Sequence, residues 1–222
     1  AGATNITANI GTLTASAATG IDLDTTIMTV TSATVSGTGA IDISDTAGGL
    51  AVSNATTNDG MITLNATGGN LTVGTAVTAG GSNNASLTTT TSGNVVLTGT
   101  TTAAGDQVMV TSAGSINGAG LVTGSTIDLN AVSGIGDTTQ LELAGTALTA
   151  DTTNGNIDID NANAATATYT TVTTGTGSIT VDNSGGGAAV FTAVTTTDGA
   201  VDLEATGGNL TVGTAVTAGG SN

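Results

Sequence analysis

The chain has 222 residues and a formal net charge of −16, because its 16 acidic residues face no Lys, Arg or His. A chain without cations cannot neutralise phosphates, which argues against nucleic-acid binding and against attraction to anionic lipid. The absence of Cys excludes disulfides and thiolate metal sites, and no apolar run approaches the ~20 residues of a membrane-spanning helix.

One stretch occurs twice. LNATGGNLTVGTAVTAGGSN at 64–83 returns as LEATGGNLTVGTAVTAGGSN at 203–222, and the two copies differ at one position. Such self-similarity indicates a tandem array. We therefore read 1–83 as the C-terminal part of one unit and 84–222 as one complete unit, and we expect a single continuous fold from a longer parent polypeptide.

Both parts are built from a recurring phrase, in which Gly and one further residue precede an apolar–polar–apolar triplet. Strict alternation has a period of two, which is typical of a β-strand with one buried face. Val, Ile and Thr favour strands, whereas Thr and Gly are poor helix formers. In chain order, the triplets predict these interior pairs: Ile21/Leu23, Ile41/Ile43, Ile62/Leu64, Val95/Leu97, Ile157/Ile159, Ile179/Val181 and Val201/Leu203.

The spacing of the phrases predicts how the strands are connected. Gly155, Gly177 and Gly199 recur at one constant interval, and other phrases have nearly the same spacing. A hairpin meander carries turn signals every ~8–12 residues, so the longer step predicts an all-β, parallel β-solenoid (β-helix) with coils of ~20–22 residues. About seven coils per tandem unit follow. The segment from Gly60 to Gly93 is not an integral number of such coils, and either two short coils or one coil with a loop would account for it.

A Gly-, Thr-, Asn- and Ala-rich repeat of about 20 residues, G-x-[IVL]-x-[IVL] without Cys, resembles the filamentous haemagglutinin-like and autotransporter β-helix proteins of bacterial surface fibres and adhesins. The resemblance covers the whole chain through composition and period. It implies an extracellular or cell-surface location and a stalk that associates with further copies of the repeat along a fibre, without membrane insertion and with no receptor identified. The composition is also similar to that of acidic bacterial surface-layer proteins.

Five carboxylates are candidate metal ligands. Three of them fall at one strand position on consecutive coils, about 4.8 Å apart, when the triplets at 157, 179 and 201 are aligned. The other two lie two residues earlier on the same outward face. Carboxylates this close repel one another, and Ca²⁺ takes oxygen ligands of this kind. The candidates are Asp160, Asp182 and Glu204 in the aligned position, with Asp158 and Asp202 beside them.

The alternative is a solvated acidic strip that keeps the protein soluble, with no metal or other cofactor. The preceding unit favours this second interpretation, because Asp24, Ser44 and Asn65 stand at the positions equivalent to the aligned carboxylates. Because only one of these three positions is acidic in the preceding unit, the fold does not require a column of carboxylates there.

Catalysis is poorly supported. No His or Lys is present to activate the many hydroxyl groups. Asp158 and Asp160 could form the carboxylate pair of a polysaccharide-active enzyme, but any strand with an Asp-x-Asp sequence offers such a pair. We expect Tyr169 and Phe191 to fill the core or a corner of the fold. The sequence therefore predicts a non-enzymatic stalk segment of a secreted fibre, acting as a protease-resistant spacer. The alternatives are a Ca²⁺-dependent surface-layer or matrix module and, remotely, the polysaccharide-active enzyme.

Overall fold

The computed structural model describes residues 11–46 and 48–220, and within them the chain forms strands and no helix. All of these strands belong to one hydrogen-bonded sheet with parallel pairing, a parallel β-solenoid of about 9 coils with ~22-residue spacing. The predicted fold class is confirmed. The strands are β1 (Thr12–Ala17), β2 (Ile21–Thr25), β3 (Thr29–Thr38), β4 (Ile41–Asp45), β5 (Leu50–Asp59), β6 (Ile62–Gly68), β7 (Leu71–Thr78), β8 (Ala85–Ser92), β9 (Val95–Leu97), β10 (Thr100–Ser112), β11 (Ser115–Asn117), β12 (Val122–Ala131), β13 (Gly134–Ile135), β14 (Leu141–Ala144), β15 (Ala147–Thr152), β16 (Ile157–Asn161), β17 (Ala167–Thr176), β18 (Ile179–Asn183), β19 (Ala189–Asp198), β20 (Val201–Ala205) and β21 (Leu210–Ala218).

Each coil contributes to two series of stacked strands, which we call face one and face two. Face one consists of β2, β4, β6, β8, the ends of β10 and β12, β15, β17, β19 and β21. Face two consists of β1, β3, β5, β7, then β9 with the start of β10, β11 with the start of β12, β13 with β14, and finally β16, β18 and β20. Apolar side chains of both faces meet in one hydrophobic core.

Like residues lie over like residues, as the spacing predicts. Ile157 pairs in parallel with Ile179, and Ile179 pairs with Val201 in the next coil. The first six predicted interior pairs are buried, with exposures of 8% or less. The seventh pair, Val201/Leu203, is only partly buried against the same core.

The two aromatic residues lie inside the solenoid. Tyr169 and Phe191 are paired in register on face one and are fully buried. Their rings stack with centroids 4.5 Å apart and an interplanar angle of 13°. Of the two expected places, core or corner, they occupy the core.

The irregular step from Gly60 to Gly93 has a different origin from either explanation that the sequence offers. The triplet Ile62–Leu64 lies on face one and pairs with Ala85–Leu87 in the next coil. The later triplet Val95–Leu97 lies on face two and pairs with Leu71–Val73. The step therefore spans about one and a half coils and moves the phrase from one face to the other.

The same half coil appears in the length of the tandem unit. Six register steps lead along face two from Leu50 to Ile179. The counterpart of Leu50 in the next unit is Ala189, which lies about half of a ~22-residue coil beyond Ile179 and belongs to face one. The unit therefore spans six and a half coils, and the seven predicted from the spacing is wrong by half a coil.

A polar ladder of two Asn side chains runs inside the core. Asn161 and Asn183 are both fully buried. The Asn161 side chain donates to Asn183 Oδ1 (3.2 Å) and to the Gly145 carbonyl (3.1 Å). Asn183 donates to the Gly187 carbonyl (2.9 Å) and accepts a hydrogen bond from the Tyr169 hydroxyl (3.0 Å). These contacts satisfy amides that would otherwise be costly to bury.

Thr101 offers a test of the stacking rule. It is fully buried in register between Val77 and Val122, and its hydroxyl has no hydrogen-bond partner among the described residues. We predict that Thr101→Val raises the free energy of unfolding by about 1 kcal/mol, because it removes a buried polar group without changing the shape of the side chain. Chemical denaturation measures the change.

The matched control is Thr89→Val. Thr89 is equally buried, but its hydroxyl donates to the Gly93 carbonyl (3.0 Å) and accepts from the Ala113 amide (2.9 Å). This substitution should lower the free energy of unfolding by about 1 kcal/mol or more. A stability change of the same sign in both variants would contradict the prediction.

Candidate functional site

An acidic column runs up the outer surface of face two. The strand register pairs Glu142 with Asp160, Asp160 with Asp182, and Asp182 with Glu204. Because neighbouring strands are ~4.8 Å apart, these four side chains, which we call the acidic column, occupy one position on successive coils. The alignment of the last three is the one that the sequence indicates.

The two remaining candidates lie beside the column. Asp158 and Asp202 occupy the register position two residues earlier on β16 and β20, with Thr180 of β18 between them. They are therefore two coils apart, or ~10 Å. The structure brings the five candidates onto one surface, in two adjacent rows.

Glu142 belongs to the column but is missed by the sequence analysis. Its step to Asp160 is shorter than a regular coil, because the connection from β13 reaches β14 through residues 136–140. The triplet Leu-Glu-Leu at 141–143 alternates like the others. A search that required Gly before the triplet could not find it, whereas alternation alone could.

Neutral donors compensate part of the repulsion between these carboxylates. The Gln140 amide nitrogen donates to Asp158 Oδ1 (2.9 Å) and to Asp182 Oδ2 (3.0 Å), so one side chain bridges two coils. Ser184 donates to both oxygens of Asp160, from its hydroxyl (2.7 Å) and from its backbone amide (3.2 Å). Hydrogen bonds to a carboxylate are stronger than those between neutral groups, and these donors lie beside the carboxylates of a chain that has no basic side chain.

Two carboxyl groups nevertheless hold their protons more tightly than usual. Burial, followed by the charge of Asp160, raises the pKa of Glu142. On face one, burial raises the pKa of Asp42, and the charges of Asp22 and Asp24 raise it further. Asp22 is the register partner of Asp42 on the neighbouring coil, so the same stacking produces both effects.

The column extends along the rod and does not converge on a point. Within residues 11–46 and 48–220, no three acidic side chains gather in an arrangement that could hold a metal ion. The Ca²⁺ interpretation of the five candidates stays a prediction. In the preceding unit, Asp24, Ser44 and Asn65 do occupy one register position, as the sequence indicates.

A shallow depression also opens on face one, with a volume of about 330 Å³. Most of the residues that line it have polar side chains, and Asp151 among them accepts a hydrogen bond from the hydroxyl of Thr173. The lining residues are Thr111, Ser112, Asn130, Ala131, Val132, Asp151, Thr152 and Thr153. Small-molecule sites are typically more enclosed and more apolar.

Comparisons with protein-family models, with curated proteins and with solved structures found no match for the chain. The structure confirms the β-helix repeat architecture that the resemblance to bacterial β-helix fibres implies. A search of the described residues for a helix long and apolar enough to cross a membrane found none.

The raised pKa values predict that the protein is more stable in mild acid than at neutral pH. A carboxyl group whose pKa is raised by folding stabilises the folded state fully below its unfolded value, 3.8 for Asp42 and 4.5 for Glu142, and this contribution is lost as the pH rises through the folded value. We expect the melting temperature to rise as the pH is lowered from neutral towards these values, measured by circular dichroism.

Glu142→Gln identifies the source of that effect. The substitution should raise the melting temperature at neutral pH and reduce its dependence on pH, because it removes a half-buried charge next to Asp160. Asp137→Asn, which removes an exposed charge from the preceding connection, should leave the slope unchanged. A melting temperature that falls on acidification would show that the carboxylates are stabilising as ions.

A chelator separates the two interpretations of the column. We predict that neither excess EDTA nor millimolar Ca²⁺ changes the melting temperature, because neutral donors already serve Asp158, Asp160 and Asp182. A ligand that binds only the folded state must raise the melting temperature. A rise with Ca²⁺ that Asp182→Asn abolishes and Asp137→Asn preserves would instead establish a calcium site.

Proposed function

We propose that this chain is a segment of the stalk of a secreted or cell-surface bacterial fibre or adhesin, with a mechanical role as a rigid spacer. The observation that carries the proposal is the continuity of the sheet. Every strand from β1 to β21 belongs to one parallel sheet around one core. Within the described residues, such an arrangement has no internal boundary at which it could bend.

Rigidity follows from the way in which each coil is bonded. A coil in the middle of the solenoid donates and accepts backbone hydrogen bonds with the coils on both sides, and it shares its buried side chains with them. Stability in such repeat folds is a sum over neighbouring pairs. Six and a half coils at ~4.8 Å give a rise of about 31 Å for one tandem unit.

The composition supports a non-catalytic role outside the cell. Trypsin-like proteases have no cleavage site in a chain without Lys and Arg, and a net charge of −16 favours solubility. The same composition supplies no His, Lys, Arg or Cys for catalysis. These features support a spacer better than an enzyme.

The repeated stretch supports association with further copies of the repeat. In the first copy, Leu71 and Val73 are fully buried beneath Val95 and Leu97 of the next coil. In the second copy, Leu210 and Val212 are 42% and 48% exposed. A following coil, in the same chain or in another copy, would bury these two side chains in the same way, and head-to-tail contact between copies builds an open fibre.

We predict that the protein associates end to end. Sedimentation velocity should show a mass that increases with protein concentration, and electron microscopy should show rods of constant width. A single chain of about 9 coils is about 43 Å long. The variant Leu210→Lys/Val212→Lys should remain at this length, because charged side chains block a strand edge.

The control is Met28→Lys/Met61→Lys, which adds the same charge at two exposed apolar residues away from β21. It should assemble like the unmodified chain. Rods that bend sharply or vary in width would overturn the stalk. A protein that remains monomeric at all concentrations would overturn the end-to-end contact. The straightness and width of the single rods in electron microscopy would then decide whether the stalk is rigid.

A further inference from the structure

The repeated stretch lies on opposite faces of the solenoid in its two copies. In the first copy, Leu71–Val73 belongs to face two, where it pairs with Leu50–Val52. In the second copy, Leu210–Val212 belongs to face one, where it pairs with Ala189–Phe191. The two stretches have the same sequence from residue 66 to 83 and from 205 to 222, so local sequence does not decide the face.

The length of the unit decides it. A unit of six and a half coils returns each position to the opposite side of the rod. A ten-residue strand lies on face two as β5, and its equivalent in the next unit lies on face one as β19. The five-residue strands β4 and β18 show the reverse exchange, from face one to face two.

The core accepts either placement because both faces follow the same rule of alternation. Val52 of face two has its counterpart in Phe191 of face one, and Ile43 of face one has its counterpart in Val181 of face two. All four side chains are buried to 1% exposure or less. Exchange of the two faces between units therefore leaves these apolar triplets inside.

We propose that the tandem unit is a half-coil repeat that presents the same outer surface on opposite sides of the rod in successive units. The proposal rests on the proposed stalk function for its biological role, and on the strand register alone for its geometry. A lateral partner that recognises the surface of one unit then finds its second site about 31 Å further along and facing the other way.

This geometry fits one kind of partner and disfavours another. Two separate molecules can bind the opposite faces of one rod, so that the rod cross-links its neighbours on both sides. A single partner that lies along one face meets the same surface only in every second unit of a strict array. An odd number of half coils thus turns a one-sided surface into a two-sided one.

Two groups of acidic side chains already follow this pattern. Asp22, Asp24 and Asp42 of the first part lie on face one, whereas the acidic column of the second part lies on face two. With no cation in the chain, a unit of whole coils would place all these charges on one side. The half coil distributes them over two sides.

Distance measurements between spin labels test the proposal directly, because the chain has no Cys of its own. Thr72→Cys/Thr211→Cys labels the same position of the two copies, on opposite faces. Thr72→Cys/Asp202→Cys labels two positions on face two that are six register steps apart. All three side chains are on the outer side of their strands, and circular dichroism verifies that each variant folds.

We expect about 29 Å for the control pair, which is six coils of ~4.8 Å along one face. The test pair should exceed about 33 Å, because ~31 Å along the axis combines with the ~10 Å between packed sheets, and the labels extend outwards on opposite sides. Equal distances in the two pairs, or a shorter distance in the test pair, would overturn the half-coil repeat.

A second readout measures presentation to a partner. The same cysteines are biotinylated, and monovalent streptavidin is added in excess. The test pair should bind two streptavidins per chain, on opposite sides, whereas the control pair should bind the second one more weakly because the two would collide along one face. Equal stoichiometry and affinity in both pairs would contradict two-sided presentation. These results do not depend on end-to-end assembly, so they distinguish failure of this proposal from failure of the stalk.

Discussion

In-register stacking of parallel coils is the constraint on which the whole structure depends. Because each strand lies directly over its counterpart, a residue must be compatible with the residues above and below it, more than with its neighbours in sequence. The corner glycines show how strict this is: a Cβ on Gly177 would lie 2.4 Å from the Gly155 carbonyl oxygen, and one on Gly199 would lie 2.1 Å from that of Gly177. Stacking therefore requires glycine in columns at the corners, as it requires apolar residues in columns inside.

The same constraint governs polar groups in the core. A buried amide can remain only where its column supplies partners, and the ladder of Asn161 and Asn183 ends in register at Leu143 below and Ala205 above. In the preceding part, Thr25 and Asp45 occupy the equivalent positions and are also buried. The two parts thus share their apolar columns closely while their polar ladders differ, because many apolar side chains fit one column but a polar ladder must be satisfied as a group.

The strands and the coil length could be predicted from the sequence, but the face of the solenoid on which each strand lies could not. Alternation identified the buried triplets, and a recurrence of about 22 residues identified parallel coils, since both follow from backbone geometry. Which face a triplet occupies depends on the summed lengths of all connections before it. The register step is shorter than average from Glu142 to Asp160 and longer than average from Leu71 to Val95. The half coil was missed because connections change length without altering the alternation of the strands, and Glu142 was missed because no Gly precedes its triplet.

Stacking also explains how a chain without cations tolerates carboxylates in a column. Charges ~4.8 Å apart on a solvated surface repel by only about 1 kcal/mol when water screens them, but by more where burial removes that water. Glu142 is half-buried, and its pKa is raised. Asp160 instead accepts hydrogen bonds from the hydroxyl and the backbone amide of Ser184. A rod that carries sixteen carboxylates is thus stable to the extent that neutral donors and its two faces keep them apart. Whole-coil units would place Asp22, Asp24 and Asp42 on the same side as the acidic column, and the half coil places them on the other face without any basic residue.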